Sequence, residues 1–130
     1  MLIVNRFDKN RDMGALDGFA TKRQLPLMEK GLLSDFGLIV SDERDMIVMG
    51  WLYPTLTSNF CIIENVISNV DIKNIDLAIE LLFKELHLLA KNMDYKYIRN
   101  SVENKSMKKR LESYGYMKTQ DNVTNYMGVL

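Results

Sequence analysis

Glu64 stands in a mostly apolar run, Phe60-Cys61-Ile62-Ile63-Glu64-Asn65-Val66-Ile67. A carboxylate among such neighbours costs desolvation energy, so it needs a reason to be there. Burial would raise its pKa toward the range in which a carboxylate takes protons from substrates near neutral pH. The plainer reading is an edge glutamate paired with a nearby Lys or Arg. The other chemistry-bearing residues stand alone. The chain has one cysteine, Cys61, and one histidine, His87. That rules out a His-rich metal site and an internal disulfide, and it weighs against a Cys/His zinc site. Cys61 lies inside a strand-like run with no histidine near it in sequence, so it reads as core rather than as a nucleophile. Lys105, Lys108, Lys109 and Arg110 cluster, but they read first as the solvated face of a short helix. Seventeen basic and 17 acidic residues give a formal net charge of +0, which argues against a nucleic-acid or membrane-surface binder.

The elements that must carry these residues follow from patterning. A chain of 130 residues with 47% hydrophobic content is the size of one globular domain, expected over residues 1–130. A β-prone start, Leu2-Ile-Val4, precedes a weak helix over residues 8–21, with Met13, Leu16 and Ala20 on one face. Leu27, Met28 and Leu32 are expected to anchor a short segment after Pro26. Leu38-Ile-Val40 and residues 46–53 form a hairpin, which Pro54 stops. Residues 59–67 give a third strand. Ile75, Ala78, Leu82, Leu86, Leu89 and Met93 recur at helical spacing, with Leu77, Leu81 and Leu88 widening the arc and His87 on the wet face. A strand over residues 95–102 follows. A strand-helix-strand passage of this length implies parallel pairing with a right-handed crossover. Ser106 is expected to cap a short helix, Gly115 to stop it, and residues 116–118 and 124–129 to form a last hairpin around 120–122. No leader peptide or membrane-spanning run is read, so a cytoplasmic protein is expected.

Together this is an α/β (α+β) domain: a mixed, mostly antiparallel sheet, helices on both faces, and a parallel central strand pair. The passage from Phe60 to Tyr116, closing on Asn104-Lys-Ser-Met107…Leu111…Gly115-Tyr116, resembles the core of the GNAT acetyltransferase superfamily and its Asn-x-x-Ala…Tyr…Gly-Phe pattern. Thr55-Leu-Thr-Ser58, Ser68-Asn69 and Asp121-Asn-Val-Thr-Asn125 resemble stretches of short GNAT-like proteins encoded by tailed phages.

The resemblance implies acetyl transfer from acetyl-CoA to an amine, with no metal. Glu64 would be the general base and Tyr114 a candidate acid, since Leu111 holds the usual tyrosine position. The backbone of Val66 and Ile67 would hold the thioester, and Trp51 and Tyr53 would wall the acceptor pocket. Lys73, Asn74, Ile75 and Asn104 would meet the cofactor. In the loop that normally cradles pyrophosphate, Asp71 takes the arginine position, and Asn74 and Asp76 take those of glycines. Both carboxylates repel a dianion, so weak acetyl-CoA binding is expected; their plain role is to favour the helix N-terminus. The alternative is a non-catalytic GNAT-fold phage protein, a virion component or a host-partner binding module. Partners would then be a protein or a small amine, or a second copy of the chain.

Overall fold

The computed structural model describes residues 1–102, 104–121 and 124–130. They fall into two compact units, Met1–Asn100 and Ser101–Leu130. The first unit runs β1 (Ile3–Arg6), α1 (Met13–Lys22), a 3-10 turn (Lys30–Leu32), β2 (Phe36–Ser41), β3 (Met46–Tyr53), β4 (Phe60–Ser68), α2 (Asp76–Asn92) and β5 (Tyr97–Asn100). The sheet order is β1-β2-β3-β4-β5. The first three pairings are antiparallel and β4–β5 is parallel.

β3 explains why its sequence is apolar without alternation. Residues 47–52 are all buried, because both faces of this central strand are covered. On one face Ile39, Met49 and Trp51 pack with Phe7, Leu16, Phe19 and Leu33. On the other, Gly50 lies under Leu82 and Leu86 of α2. The helices α1 and α2 thus take opposite faces. Asp12, only 2% exposed, is the single buried charged residue among those described. Its carboxylate accepts from Arg11 Nε (3.0 Å), Arg11 Nη2 (2.9 Å) and the Asp8 amide (2.8 Å), so it is fully engaged.

Several expectations need correction. The buried stripe of α2 is Ala78, Ile79, Leu82, Phe83, Leu86 and Ala90. Leu77 and Leu88 are exposed. Ile79 and Phe83 pull the stripe to one side, and the leucines counted on the other side face water. His87 is not wholly on the wet face: its ring sits edge-on to Phe83 at 6.3 Å, and burial lowers its pKa. Leu33, not Leu27 or Leu32, anchors the segment after Pro26, although Met28 does pack on the core. Among the described residues no helix is long and apolar enough to cross a membrane.

The second unit contains α3 (Lys105–Ser113), and no strand among its described residues. The expected last hairpin is therefore not formed there; residue 122 of its expected turn over 120–122, like residue 123, lies outside the described residues. Met117, Tyr126, Met127 and Val129 are exposed. The cap of α3 is Asn104 rather than Ser106. Asn104 Oδ1 accepts from the amides of Ser106 (2.8 Å) and Met107 (3.3 Å). Asn104→Ala should cost the helix about 1 kcal/mol, the usual worth of such a cap. Amide exchange in the first turn of α3 should quicken by about fivefold, while β3 amides keep their protection. Unchanged exchange in α3 would show that the cap does not hold it.

Candidate functional site

The site begins with a fault in the β3–β4 ladder. Trp51 opposes Glu64 and Met49 opposes Ile67, so Gly50 alone faces Asn65 and Val66. This is a β-bulge, and Asn65 takes the left-handed conformation it requires, φ 61°. Asparagine tolerates that region better than most side chains. A Cβ on Gly50 would lie 3.0 Å from Leu82 Cδ2 and 3.3 Å from Val66 Cγ2, so the bare backbone lets these close over the bulge.

The bulge coincides with an opening on the other edge of β4. Pairing with β5 ends at Ile63↔Asn100, whereas β4 continues to Ser68. Residues 64–68 therefore present backbone donors and acceptors that no described β5 residue takes. Such an edge can add an extended ligand by main-chain hydrogen bonds. Val66 and Ile67, both half-buried, sit on this edge.

Tyr53 braces the bulge. Its phenol oxygen accepts from Asn65 Nδ2 at 2.7 Å and donates to the Leu32 carbonyl at 3.1 Å. Burial raises its pKa, hydrogen bonding from Asn65 opposes this, and the Glu64 charge adds to it. The phenol thus stays protonated at neutral pH, as the donor to Leu32. Glu64 itself is exposed. The burial invoked from sequence does not occur. Trp51, its register partner, is fully buried and meets Phe7 edge-on at 4.9 Å and 67°. Its ring has no surface left for an acceptor pocket, so Trp51 is core and Tyr53 alone of the pair reaches the rim. Cys61 is buried, and burial raises its thiol pKa, as suits a packing residue.

The β4–α2 loop supplies the second part. The amide of Asn69 donates to the Ile47 carbonyl (2.7 Å), its Nδ2 to Met46 (3.1 Å), and its Oδ1 accepts from the Asp71 amide (3.1 Å). Asn74 has φ 57°, the conformation for which a glycine is the usual choice. Ile75 precedes α2 without offering a side-chain cap, and Asp76 is the first helical residue. Lys73 is exposed beside them. Asp71 does not cap α2; it pairs with Lys22 at the end of α1. Next to it, Arg23 donates from Nε to the Ser68 carbonyl (2.8 Å) and from Nη2 to Ser68 Oγ (2.6 Å). Sequence reasoning missed Lys22, Arg23 and the Tyr53–Asn65 bond. The adjacent pair of cations at a helix end was visible, but nothing local ties it to a loop 45 residues on.

In the second unit, Asn104 caps α3 and Tyr114 is the residue at its C-terminal end. Among the described residues no group of three or more His, Cys, Asp or Glu could hold a metal ion.

No protein-family model matches this sequence, and no curated protein does. Solved structures do match. The chain is similar to the ribosomal-protein-S18-alanine N-acetyltransferase of Escherichia coli, with a TM-score of 0.76, 12% identity, 92% of this chain and 80% of that one. It is similar to the glucosamine-6-phosphate N-acetyltransferase of Arabidopsis thaliana, with a TM-score of 0.70, 11% identity, 98% of this chain and 99% of that one. It also resembles a predicted acetyltransferase from Clostridium acetobutylicum crystallised with acetyl-CoA, with a TM-score of 0.67, 15% identity, 97% of this chain and 96% of that one. The chain has the GNAT acetyltransferase fold. At these identities the likeness concerns the fold alone, and activity must be argued from the site.

Proposed function

We propose that the protein is an acyl-CoA-dependent N-acyltransferase that acetylates or acylates an amine. The observation that carries this reading is the bulge at Asn65 beside a β4 edge that β5 does not pair beyond Ile63. A coenzyme A thioester would supply the activated acyl carbon. The edge of residues 64–68 is suited to hold its extended arm, with the Val66 amide donating to the carbonyl oxygen. Glu64, exposed on the same strand, would take the proton from the incoming ammonium, which makes the amine a nucleophile. Tyr53 steadies the bulge that sets the Val66 amide. Tyr114 is kept as the candidate proton source for the departing sulfur.

The phosphate end fits less well, and in a specific way. Asn74 preserves the backbone turn that a glycine would make. Lys22 offsets Asp71, and Lys73 adds a cation. Asp76 still sets a carboxylate at the helix start, where an incoming anion would sit. A like charge that weakens binding by about 1.4 kcal/mol loosens it tenfold. Wild-type protein is therefore expected to bind acetyl-CoA with a Kd no tighter than about 10 µM, and Asp76→Gly to tighten it about tenfold. Isothermal calorimetry checks both. Sub-micromolar wild-type affinity would refute the like-charge argument.

Asp76 also supports a second reading: a GNAT-fold protein without catalysis that binds a protein partner, as a phage virion component or on a host protein, alone or as a homo-oligomer. No acetyl-CoA heat in either the wild type or Asp76→Gly would favour it.

A further inference from the structure

The segment that precedes β2 is tied by hydrogen bonds to the end of β3. Ser34 Oγ donates to the Leu52 carbonyl and accepts from the Phe36 amide at 2.9 Å. Nearby, the Leu32 carbonyl accepts from the Tyr53 phenol at 3.1 Å. Leu52 and Tyr53 are adjacent, so both ties fix one short stretch of β3. Leu25, Leu27 and Leu32 of the segment are exposed, and packing holds it through Met28 and the buried Leu33.

A phenol has one proton to donate. Tyr53 gives its proton to Leu32, so its oxygen meets Asn65 as an acceptor, at 2.7 Å from Nδ2. The bonds thus run one way, from Asn65 through Tyr53 to Leu32, and a chain polarised in one direction strengthens its members. At its far end Asn65 holds φ 61°, a conformation that costs a residue other than glycine. The side-chain bond to Tyr53 helps to offset that cost. Asn65 is joined directly to Val66.

We propose that Ser34 is a positioning residue for acyl transfer: by fixing the Leu32 carbonyl it keeps the Tyr53–Asn65 bond in place and so aims the Val66 amide. This rests on the acyltransferase reading above. Ser34 meets no reacting group and acts only through this chain of bonds. Without its hydroxyl, the Leu52 carbonyl and the Phe36 amide lose a partner, and Leu32 is free to drift from the phenol. The bulge at Asn65 then loses its brace. The Val66 amide no longer points at the oxygen on which charge develops, which weakens a bond that matters most in the transition state. The main chain of residues 64–68, which would hold the cofactor's arm, is left as it was. Turnover should therefore suffer and cofactor binding should not.

The test is steady-state acetyl transfer by the full chain, from acetyl-CoA to a panel of amines. Ser34→Ala should lower kcat about tenfold, with the KM for acetyl-CoA within about twofold of wild type, since a misplacement of a full ångström costs roughly a hundredfold. Ser34→Thr keeps the hydroxyl and should recover turnover. In a Tyr53→Phe or an Asn65→Gly background, Ser34→Ala should cost nothing further, because the chain is already broken and glycine holds φ > 0 without a brace. Should Ser34→Ala not fold, Ser34→Cys replaces it, since a thiol donates only weakly. Losses that add in full in both backgrounds overturn the proposal. So does a raised KM with kcat unchanged. A lower melting temperature with wild-type turnover marks Ser34 as structural and overturns it too. A wild type that acetylates no amine of the panel removes the acyltransferase reading, and this inference falls with it; a wild type that turns over beside an unaffected Ser34→Ala overturns this inference alone.

Discussion

Gly37→Ala is expected to lower the unfolding free energy by about 3 kcal/mol, the upper end of what overpacking a close-packed core costs. A Cβ at this position would stand 2.2 Å from Trp51 Nε1, 2.6 Å from its Cδ1 and 2.9 Å from Phe7 Cβ. None of these atoms is the loose end of a flexible chain. The indole is fully buried, and Phe7 is held at both ends: its ring is edge-on to Trp51, and its amide donates to the Gly37 carbonyl at 2.9 Å. Relief would require β2 to move away from β3, to which Gly37 is joined opposite Trp51. Urea denaturation followed by tryptophan fluorescence measures the loss. Gly31→Ala is the control, since nothing lies within 4 Å of a Cβ there, and it should change stability by less than about 0.5 kcal/mol. A Gly37→Ala loss no larger than the control's would contradict the packing described.

The close approach at Gly37 also shows where sequence reading stops. A glycine before Leu-Ile-Val is an ordinary strand opening; its need to be bare comes from Trp51 on another strand. Local periodicity did define β3, whose bounds are Met46–Tyr53, and the parallel crossover through α2. These rest on contacts within one element or on chain length between two. The bulge at Asn65 carries no such mark, because it lies across the ladder from Gly50, on another strand. Tyr53 announced itself only as an aromatic at a strand end; its bonds reach 12 residues forward and 21 back. The rotation of the α2 stripe was missed for a related reason. The helix is leucine-rich on more than one side, and only the sheet beneath chooses which side is buried. Asn104 instead of Ser106 as cap is a shift of two residues, within the range over which helix ends are set by side-chain competition.

Glu64→Gln is expected to lower turnover of acyl transfer by about two orders of magnitude, the usual scale for loss of a general base. The substitution keeps size and hydrogen bonding but removes the ability to accept a proton. Because Glu64 is exposed, the fold should be unaffected, with stability within about 0.5 kcal/mol of wild type. That separates catalysis from folding more cleanly than a buried base would allow. Exposure also alters the mechanism expected. The proposed base would act from an exposed position, near the Tyr53 phenol, whose pKa its charge helps to raise. Removing that charge should ease Tyr53 ionisation and shift the alkaline end of the tyrosine absorbance titration to lower pH, a readout that needs no substrate. Thiol release from acetyl-CoA in the presence of a panel of amines reports turnover. Turnover unchanged in Glu64→Gln, with the tyrosine titration shifted as described, would show that the carboxylate is where the structure puts it but is not the base. The proton would then have to leave through another group, and Tyr114 would be the next to replace, because Tyr53 holds its proton to bond Leu32.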